Sequence, residues 1–254
     1  MVLVLDLGNT NLYIGIYENN SLIKEIRKHT DLYRSSDEYY EIFDSFLRLE
    51  NISPSSFEGA ILSSVIPSLT LTIKFAIEKL IKKECKIVGK GIKSGLSIRI
   101  DNPSELGSDL VADSVGALAK YNAPLIIVDL GTANKILVVD KNKEFVGCTI
   151  SVGLKIGMKS LTSSAAQLMD VSLIPPKRII GKNSVDSLNS GATYGTICMI
   201  EGMGEKIEKE LGYKCTKILT GGNSYIIKDI ISKDFFFEPT LILDGLYQIY
   251  LKNK

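Results

Sequence analysis

Two short stretches of the chain carry the same chemistry-bearing pattern. Residues 3–20 read LVLDLGNTNLYIGIYENN and residues 126–143 read IIVDLGTANKILVVDKNK. At an offset of 123, Asp6 matches Asp129, Leu7 matches Leu130, Gly8 matches Gly131, Asn11 matches Asn134 and Asn19 matches Asn142. Each copy is an apolar run ending in Asp-x-Gly, a polar turn, and a second apolar run. The carboxylate at the strand end can hold a cation or its waters. Glycine lets backbone N–H groups approach phosphate oxygens, and the Asn and Thr side chains add donors. Two such turns facing each other could clamp a triphosphate and its metal. Phosphoryl transfer asks mainly for that positioning and charge neutralisation. A third segment, TGGN at 220–223, puts Gly221 and Gly222 at a strand-to-helix turn. There the backbone can lie flat against a phosphate or a ring, and contact near an adenosine is expected.

The elements that must position these turns follow from hydrophobic pattern. Apolar runs bounded by Gly, Asn and Asp are strand and hairpin signals. A repeat half a chain long is far beyond solenoid periods. The expectation is a duplicated α/β domain with a cleft between the halves, residues 1–120 and 121–254. Helices are expected at 35–50, from a Ser-Ser-Asp capping signal, and at 67–83, with Pro near its start and lysines at its end. Further helices are expected at 107–121, 154–169, 190–211 and 241–253. GAILSSVI (59–66) reads as a buried strand, 216–220 as a strand before the Gly-rich turn, and 86–106 as irregular. The FFF run at 235–237 reads as a strand or a dimer contact.

Composition removes several alternatives. Of 254 residues, 45% are hydrophobic and 23% charged, and a chain this long buries roughly three quarters of its unfolded surface without staples. Thirty Lys and Arg against 29 Asp and Glu give a net charge of +1, which argues against a nucleic-acid partner or a polybasic membrane surface. The four cysteines form no CxxC pair and there is one histidine, His29. A Cys/His zinc site and a Ser-His-Asp triad are therefore unattractive, and acid–base work falls to carboxylates. His29 reads as a surface residue, and Cys148 and Cys198 as small core residues. Ser63-Ser64 and Ser163-Ser164 read as structural. With no secretory signal and no membrane-length apolar run, a cytoplasmic protein is expected.

Taken together, DLGNTN (6–11), NPSELGSDL (102–110), VDLGTAN (128–134), GCTISVGLKIGMKSL (147–161), IGKNSVDSLNSGATYG (180–195) and LTGGN (219–223) resemble the type III pantothenate kinases. These sit within the superfamily of acetate and sugar kinases, Hsp70 and actin. The resemblance implies duplicated ribonuclease H-like (actin-like ATPase) domains with a nucleotide cleft. It implies ATP-dependent phosphorylation of the pantothenate hydroxyl to 4'-phosphopantothenate, the first step of coenzyme A biosynthesis. It also implies a homodimer that uses Mg²⁺ and a monovalent cation, K⁺ or NH₄⁺. Asp6, Leu7, Gly8, Asn9, Thr10, Asn11, Leu12 and Tyr13 would form the first phosphate hairpin, with Asp6 near Mg²⁺ through water. Gly131, Thr132, Gly221 and Gly222 would meet ATP, and Asp129 would hold the monovalent cation. Gly107, Ser108, Asp109 and Leu110 would line the pantothenate pocket with Ile100, and Ser184 would contact substrate within the dimer. Asp109 would be the general base. Independently, a carboxylate at a helix start beside Gly107 and Ser108 can be both exposed and fixed.

Several positions depart from the family pattern. Ile100 replaces an aromatic residue. Leu110 replaces an arginine suited to grip a carboxylate bidentately. Thr132-Ala133-Asn134-Lys135 replaces Thr-Ala-x-Thr, Asp113 replaces Asn, and Gly147, Cys148 and Val152 stand where a glycine pair and a proline are usual. Lys135 could substitute for the monovalent cation near Asp129, neutralise phosphate, or be a solvated strand lysine. The ATP-side residues are mostly kept and the acceptor side is altered. The alternative function is a diverged nucleotide-binding paralogue with a regulatory role or a different acceptor. A sugar or acetate kinase fits the LGSD and GKNS segments less well.

Overall fold

The structure is a computed structural model that describes residues 1–164 and 171–254. Contacts divide the chain into two units, Met1–Leu96 with Asn102–Ala119 and Leu241–Lys254, and Ser97–Asp101 with Lys120–Thr240.

The first unit opens with β1 (Val2–Leu7), β2 (Asn11–Glu18) and β3 (Ser21–His29), an antiparallel meander. The β2–β3 turn works because Asn19 and Asn20 both accept left-handed φ, 49° and 66°, the geometry that matches strand twist in a two-residue hairpin. Helix α1 (Ser36–Leu49) begins at a complete capping box. The Ser35 hydroxyl accepts the Glu38 N–H, and the Glu38 carboxylate accepts the Ser35 N–H at 2.7 Å. Its buried face is Tyr39, Phe43, Phe46 and Leu47. Strand β4 (Gly59–Ser64) pairs parallel with β1, helix α2 (Pro67–Ile81) follows, and β5 (Cys85–Ile87) completes the order β3-β2-β1-β4-β5. The central strands read as unbroken apolar runs because both faces are covered. Strand β6 (Ser97–Ile98) belongs to the other sheet, and helix α3 (Ser108–Lys120) returns to the first unit.

The second unit repeats the plan. Strands β7 (Leu125–Leu130), β8 (Ala133–Val139) and β9 (Glu144–Val152) form the meander. Helices α4 (Leu154–Ser164) and α5 (Ser184–Leu211) lead to β10 (Thr216–Thr220) and β11 (Phe235–Phe237). The sheet order β11-β10-β7-β8-β9-β6 is that of the first sheet with β6 added at the edge. The internal repeat is thus a repeat of topology as well as of sequence. Helix α6 (Leu241–Leu251) follows β11 but buries Leu241, Leu243, Leu246 and Ile249 and packs on β1, β2 and β4 of the first unit. A split at 120/121 therefore assigns the terminal helix to the wrong partner. The reason is close backbone packing that one-dimensional pattern does not encode. A Cβ on Gly245 would lie 1.8 Å from the Ala112 carbonyl oxygen, and one on Gly116 2.4 Å from that of Leu241.

Other differences from the sequence reading have local causes. Helix α5 starts at Ser184 rather than 190 because the Asn183 side chain caps it, accepting the Asp186 N–H at 2.8 Å. The segment 86–106 contains the ends of β5 and all of β6, short strands that only pairing reveals. Positions 165–169 of the helix expected over 154–169 lie outside the described residues. Cys148 and Cys198 are exposed rather than in the core. Cys85 is the buried thiol, and burial pushes its pKa up to about 12. Among the described residues no helix is long and apolar enough to cross a membrane.

Candidate active site

In the first unit, Asp6 stands near the end of β1, opposite Tyr13 on β2 and beside Ser63 on β4. The turn that follows is held from both sides. The Gly8 N–H donates to the Asn11 carbonyl at 3.0 Å. Thr30, 5% exposed, donates its N–H to the Thr10 carbonyl at 3.0 Å and its hydroxyl to the Gly8 carbonyl at 2.7 Å. Asn9, Thr10 and Asn11 are exposed at the tip, whereas Leu7 and Leu12 are core residues. Tyr13 is also buried. Its hydroxyl donates to Glu25, and the Arg27 guanidinium lies 3.4 Å from its ring centroid. Burial, reinforced by Glu25, raises the Tyr13 pKa well above the ordinary phenol range, so it stays neutral. Within Asp6–Tyr13, side-chain donors therefore come from residues 9–11, while Leu7, Leu12 and Tyr13 offer only backbone.

Asp109 occupies the first turn of α3. The preceding Ser108 fastens that helix start to the end of β4. Its hydroxyl accepts the Ser64 N–H at 3.1 Å, lies 3.1 Å from the Ser64 carbonyl as a donor, and is 3.0 Å from the Ser63 hydroxyl. Because β4 runs parallel beside β1, this fastening sets the start of α3 at the end of the sheet where β1 also ends. Ser63 and Ser64, read from sequence as merely structural, are the anchors of this arrangement. Gly107 leaves room for the Asp109 carboxylate. A Cβ there would lie 2.4 Å from Asp109 Oδ1, the oxygen that also accepts the Leu110 N–H at 3.0 Å. Leu110 and Asp113 are buried, 7% and 2% exposed. The Leu110 side chain is thus largely withdrawn from solvent.

In the second unit, Asp129 stands opposite Lys135 on β8. The Gly131 N–H donates to the Ala133 carbonyl at 3.1 Å. The TGGN turn packs directly on this hairpin. The Asn223 N–H donates to the Leu130 carbonyl at 2.8 Å, and its side-chain amide to the Gly131 carbonyl at 2.7 Å. Gly221 has φ 93°, and a Cβ there would lie 2.3 Å from Asp129 Oδ1. Gly153, just before α4, closes the other side, since a Cβ there would lie 2.1 Å from the Thr132 carbonyl oxygen. Gly131, Thr132 and Gly221 are thus brought together, with Gly222 exposed beside them. Asn223 and Gly153, absent from the sequence-level site, are what hold them there. Ile100 follows β6 in this unit, where Arg99 pairs with Glu144 at 2.9 Å.

Ser184 lies at the N-terminus of α5 and lines a cavity of about 880 Å³ with Asn134, Gly153, Met158, Lys182 and Met199. Buried Asn134 donates its side-chain amide to the Val152 carbonyl at 3.0 Å, and its Oδ1 has no hydrogen-bond partner.

The donor sets suit the expected ions unequally. Among the described residues no group of three or more His, Cys, Asp or Glu could hold a metal. Mg²⁺ characteristically keeps its waters and binds through one or two carboxylates plus substrate phosphates, so a strand-end carboxylate such as Asp6 fits an ion delivered with nucleotide. A monovalent cation at Asp129 does not fit. The Lys135 ammonium sits 2.8 Å from Asp129 Oδ2, and both side chains are largely withdrawn from solvent.

Comparison with known proteins places the chain in a family. A family model for type III pantothenate kinase matches residues 2–206. A type III pantothenate kinase from Exiguobacterium sibiricum is 35% identical over 254 residues, covering 100% of both chains. One from Bacillus cytotoxicus is 35% identical over 253 residues, covering 100% of this chain and 97% of its own. Among solved structures, a Sinorhizobium meliloti protein named as a 2-dehydro-3-deoxygalactonokinase superposes with a TM-score of 0.59 at 11% identity, covering 99% of this chain and 96% of its own. At that identity the likeness establishes the fold alone, a duplicated α/β architecture.

Proposed function

From the premise that this chain belongs to the type III pantothenate kinase family, we propose that it transfers the γ-phosphoryl group of ATP to the primary hydroxyl of pantothenate. The products are ADP and 4'-phosphopantothenate, the first step of coenzyme A synthesis. The observation that carries this reading is Asp109, set over Gly107 at the start of α3 and fastened by Ser108 to the strand beside β1. The Asp109 carboxylate takes the proton of the pantothenate hydroxyl. The freed oxygen attacks the γ-phosphorus in line as the bond to the β,γ-bridging oxygen breaks, and that bridging oxygen leaves on ADP. Exposed Asn9, Thr10 and Asn11 and the backbone of Gly8 serve the phosphates. Gly131, Thr132 and the TGGN backbone serve the nucleotide. Asp6 would hold, through water, the Mg²⁺ delivered with ATP, which would supply positive charge against the phosphates. The alternative of a diverged, non-phosphorylating paralogue draws support from none of the comparisons.

The reading extends to a cytoplasmic homodimer. The surface formed by α4, α5 and the preceding segment exposes Ile156, Leu161, Ile179 and Ile180, the last at 80%. Large apolar side chains left exposed in this way are what a subunit interface would cover. Ser184 lies on this face, which suits a substrate contact made within the dimer. The test is ADP release coupled to a reporter, with Mg²⁺-ATP and with or without pantothenate, beside sedimentation to fix the subunit number. Turnover that ignores pantothenate, while ATP still binds, would overturn the acceptor assignment.

A further inference from the structure

Asp129 and Lys135 are direct partners in the β7–β8 ladder. Residues paired this way project to the same face with Cβ atoms about 5 Å apart, so the lysine stem folds back to place its ammonium on the carboxylate. The bond to Oδ2 is 2.8 Å long, and the side chains are 18% and 12% exposed. The remaining approaches to the carboxylate are narrowed by backbone. A Cβ on Gly221 would lie 2.3 Å from Oδ1, and one on Gly131 3.6 Å from it. A K⁺ ion at Oδ2 would have to displace a tethered cation of equal charge or sit against it.

We propose that the Lys135 ammonium permanently performs the task of the family's monovalent cation, so that this protein binds and uses nucleotide without K⁺ or NH₄⁺. The assignment rests on reading the β7–β8 hairpin as a nucleotide-facing element, as above. An ammonium matches the single charge of K⁺ and adds three directed donors. Its four-carbon tether means that the charge cannot dissociate and need not be drawn from solution. The exchange accounts for a lysine on the strand opposite Asp129 where a family member carries threonine.

Three measurements decide it. The affinity for a non-hydrolysable ATP analogue with Mg²⁺ is measured in K⁺ and in tetramethylammonium at equal ionic strength. The native chain should differ less than twofold, whereas a tenfold gain with K⁺ overturns the proposal. Lys135→Thr, with Lys135→Met as a second variant should the first not fold, should bind at least tenfold better in K⁺ or NH₄⁺ than in tetramethylammonium. A variant that stays indifferent to the salt overturns it. Thallium(I), a K⁺ surrogate followed by its own NMR signal, needs neither nucleotide nor acceptor. The native chain should show no saturable site, and Lys135→Thr should show one that Asp129→Asn removes. A saturable site in the native chain that Asp129→Asn removes overturns it. Failure of pantothenate turnover with these results intact would strike the acceptor reading alone. Turnover that requires K⁺ would strike the Lys135 assignment alone.

Discussion

The two meanders share strand order and the Asp-x-Gly turn, yet they spend their polar groups differently. Opposite Asp6 stands Tyr13, a neutral phenol whose hydroxyl is engaged by Glu25. Opposite Asp129 stands Lys135, bonded to the carboxylate itself. The first turn is fastened by Thr30 at the far end of its own meander, the second by Asn223 from the strand-to-helix turn after β10. The backbone frame is common to both, while the residue across the ladder differs, a phenol opposite Asp6 and an ammonium opposite Asp129. In the proposed reaction the first unit also carries the proton acceptor, Asp109, on α3.

That division of labour can be broken most directly at Asp109. Asp109→Asn should lower kcat by roughly 10²–10⁴ while leaving nucleotide affinity within about twofold, as read by ADP release and a binding titration. Loss of nucleotide affinity of the same size would mean that the residue belongs to the phosphate side instead. Next come the glycines of the turns. Gly221→Ala combines left-handed strain with a collision on Asp129 and should cost about 3 kcal/mol in urea unfolding. Gly8→Ala, whose Cβ would meet only the Asn11 carbonyl oxygen at 3.2 Å, should cost about 1 kcal/mol. Equal costs would show that the two turns are supported alike.

A second pair of features sharpens the comparison. Glu78 and Glu208 each accept the N–H of a cysteine seven residues on, Cys85 and Cys215, both at 3.0 Å. Each glutamate also lies four residues before a left-handed helix cap, Lys82 at φ 53° or Gly212 at φ 79°. Only Glu208 is nearly buried, with Lys214 and Lys217 at 2.7 and 3.5 Å. Its burial alone would raise its pKa, but the hydrogen bonds from Lys214 and the Cys215 N–H, with Lys217, outweigh that and hold it below the ordinary value of 4.5. A depressed carboxylate pKa contributes stability above the unfolded value and loses it as pH falls through the folded one. Glu208→Gln should therefore destabilise more than Glu78→Gln at pH 7, with the excess fading as pH drops below about 4.5, read by melting across pH. The smallest effect is expected at the caps. Lys82→Gly should stabilise by roughly 0.5–1 kcal/mol and Gly212→Ala should destabilise by a similar amount.

What could be read in advance depended on how local the signal was. The capping signal before α1 and both Asp-x-Gly hairpins were legible, because their residues bond to near neighbours in sequence. Lys135 was legible as a neighbour of Asp129 because a short antiparallel turn fixes which residues face each other. The role of Ser63, Ser64 and Asn223 was not, since each acts on a partner 44 to 92 residues away. The start of α5 was missed because its first turn is polar and its cap lies outside any apolar period. Leu110 was named from its place in a family motif, and its burial, 7% exposed, is a tertiary fact that the motif does not carry.

The Gly116–Gly245 crossing sets an order of events during synthesis. Helix α6 supplies a wall of the first unit, yet its residues are made only after residue 240. The sheet begun by the earliest strands keeps an uncovered flank throughout translation of the whole second unit. A ribosome stalled at any point before α6 emerges would hold a nascent chain with its oldest portion still unfinished.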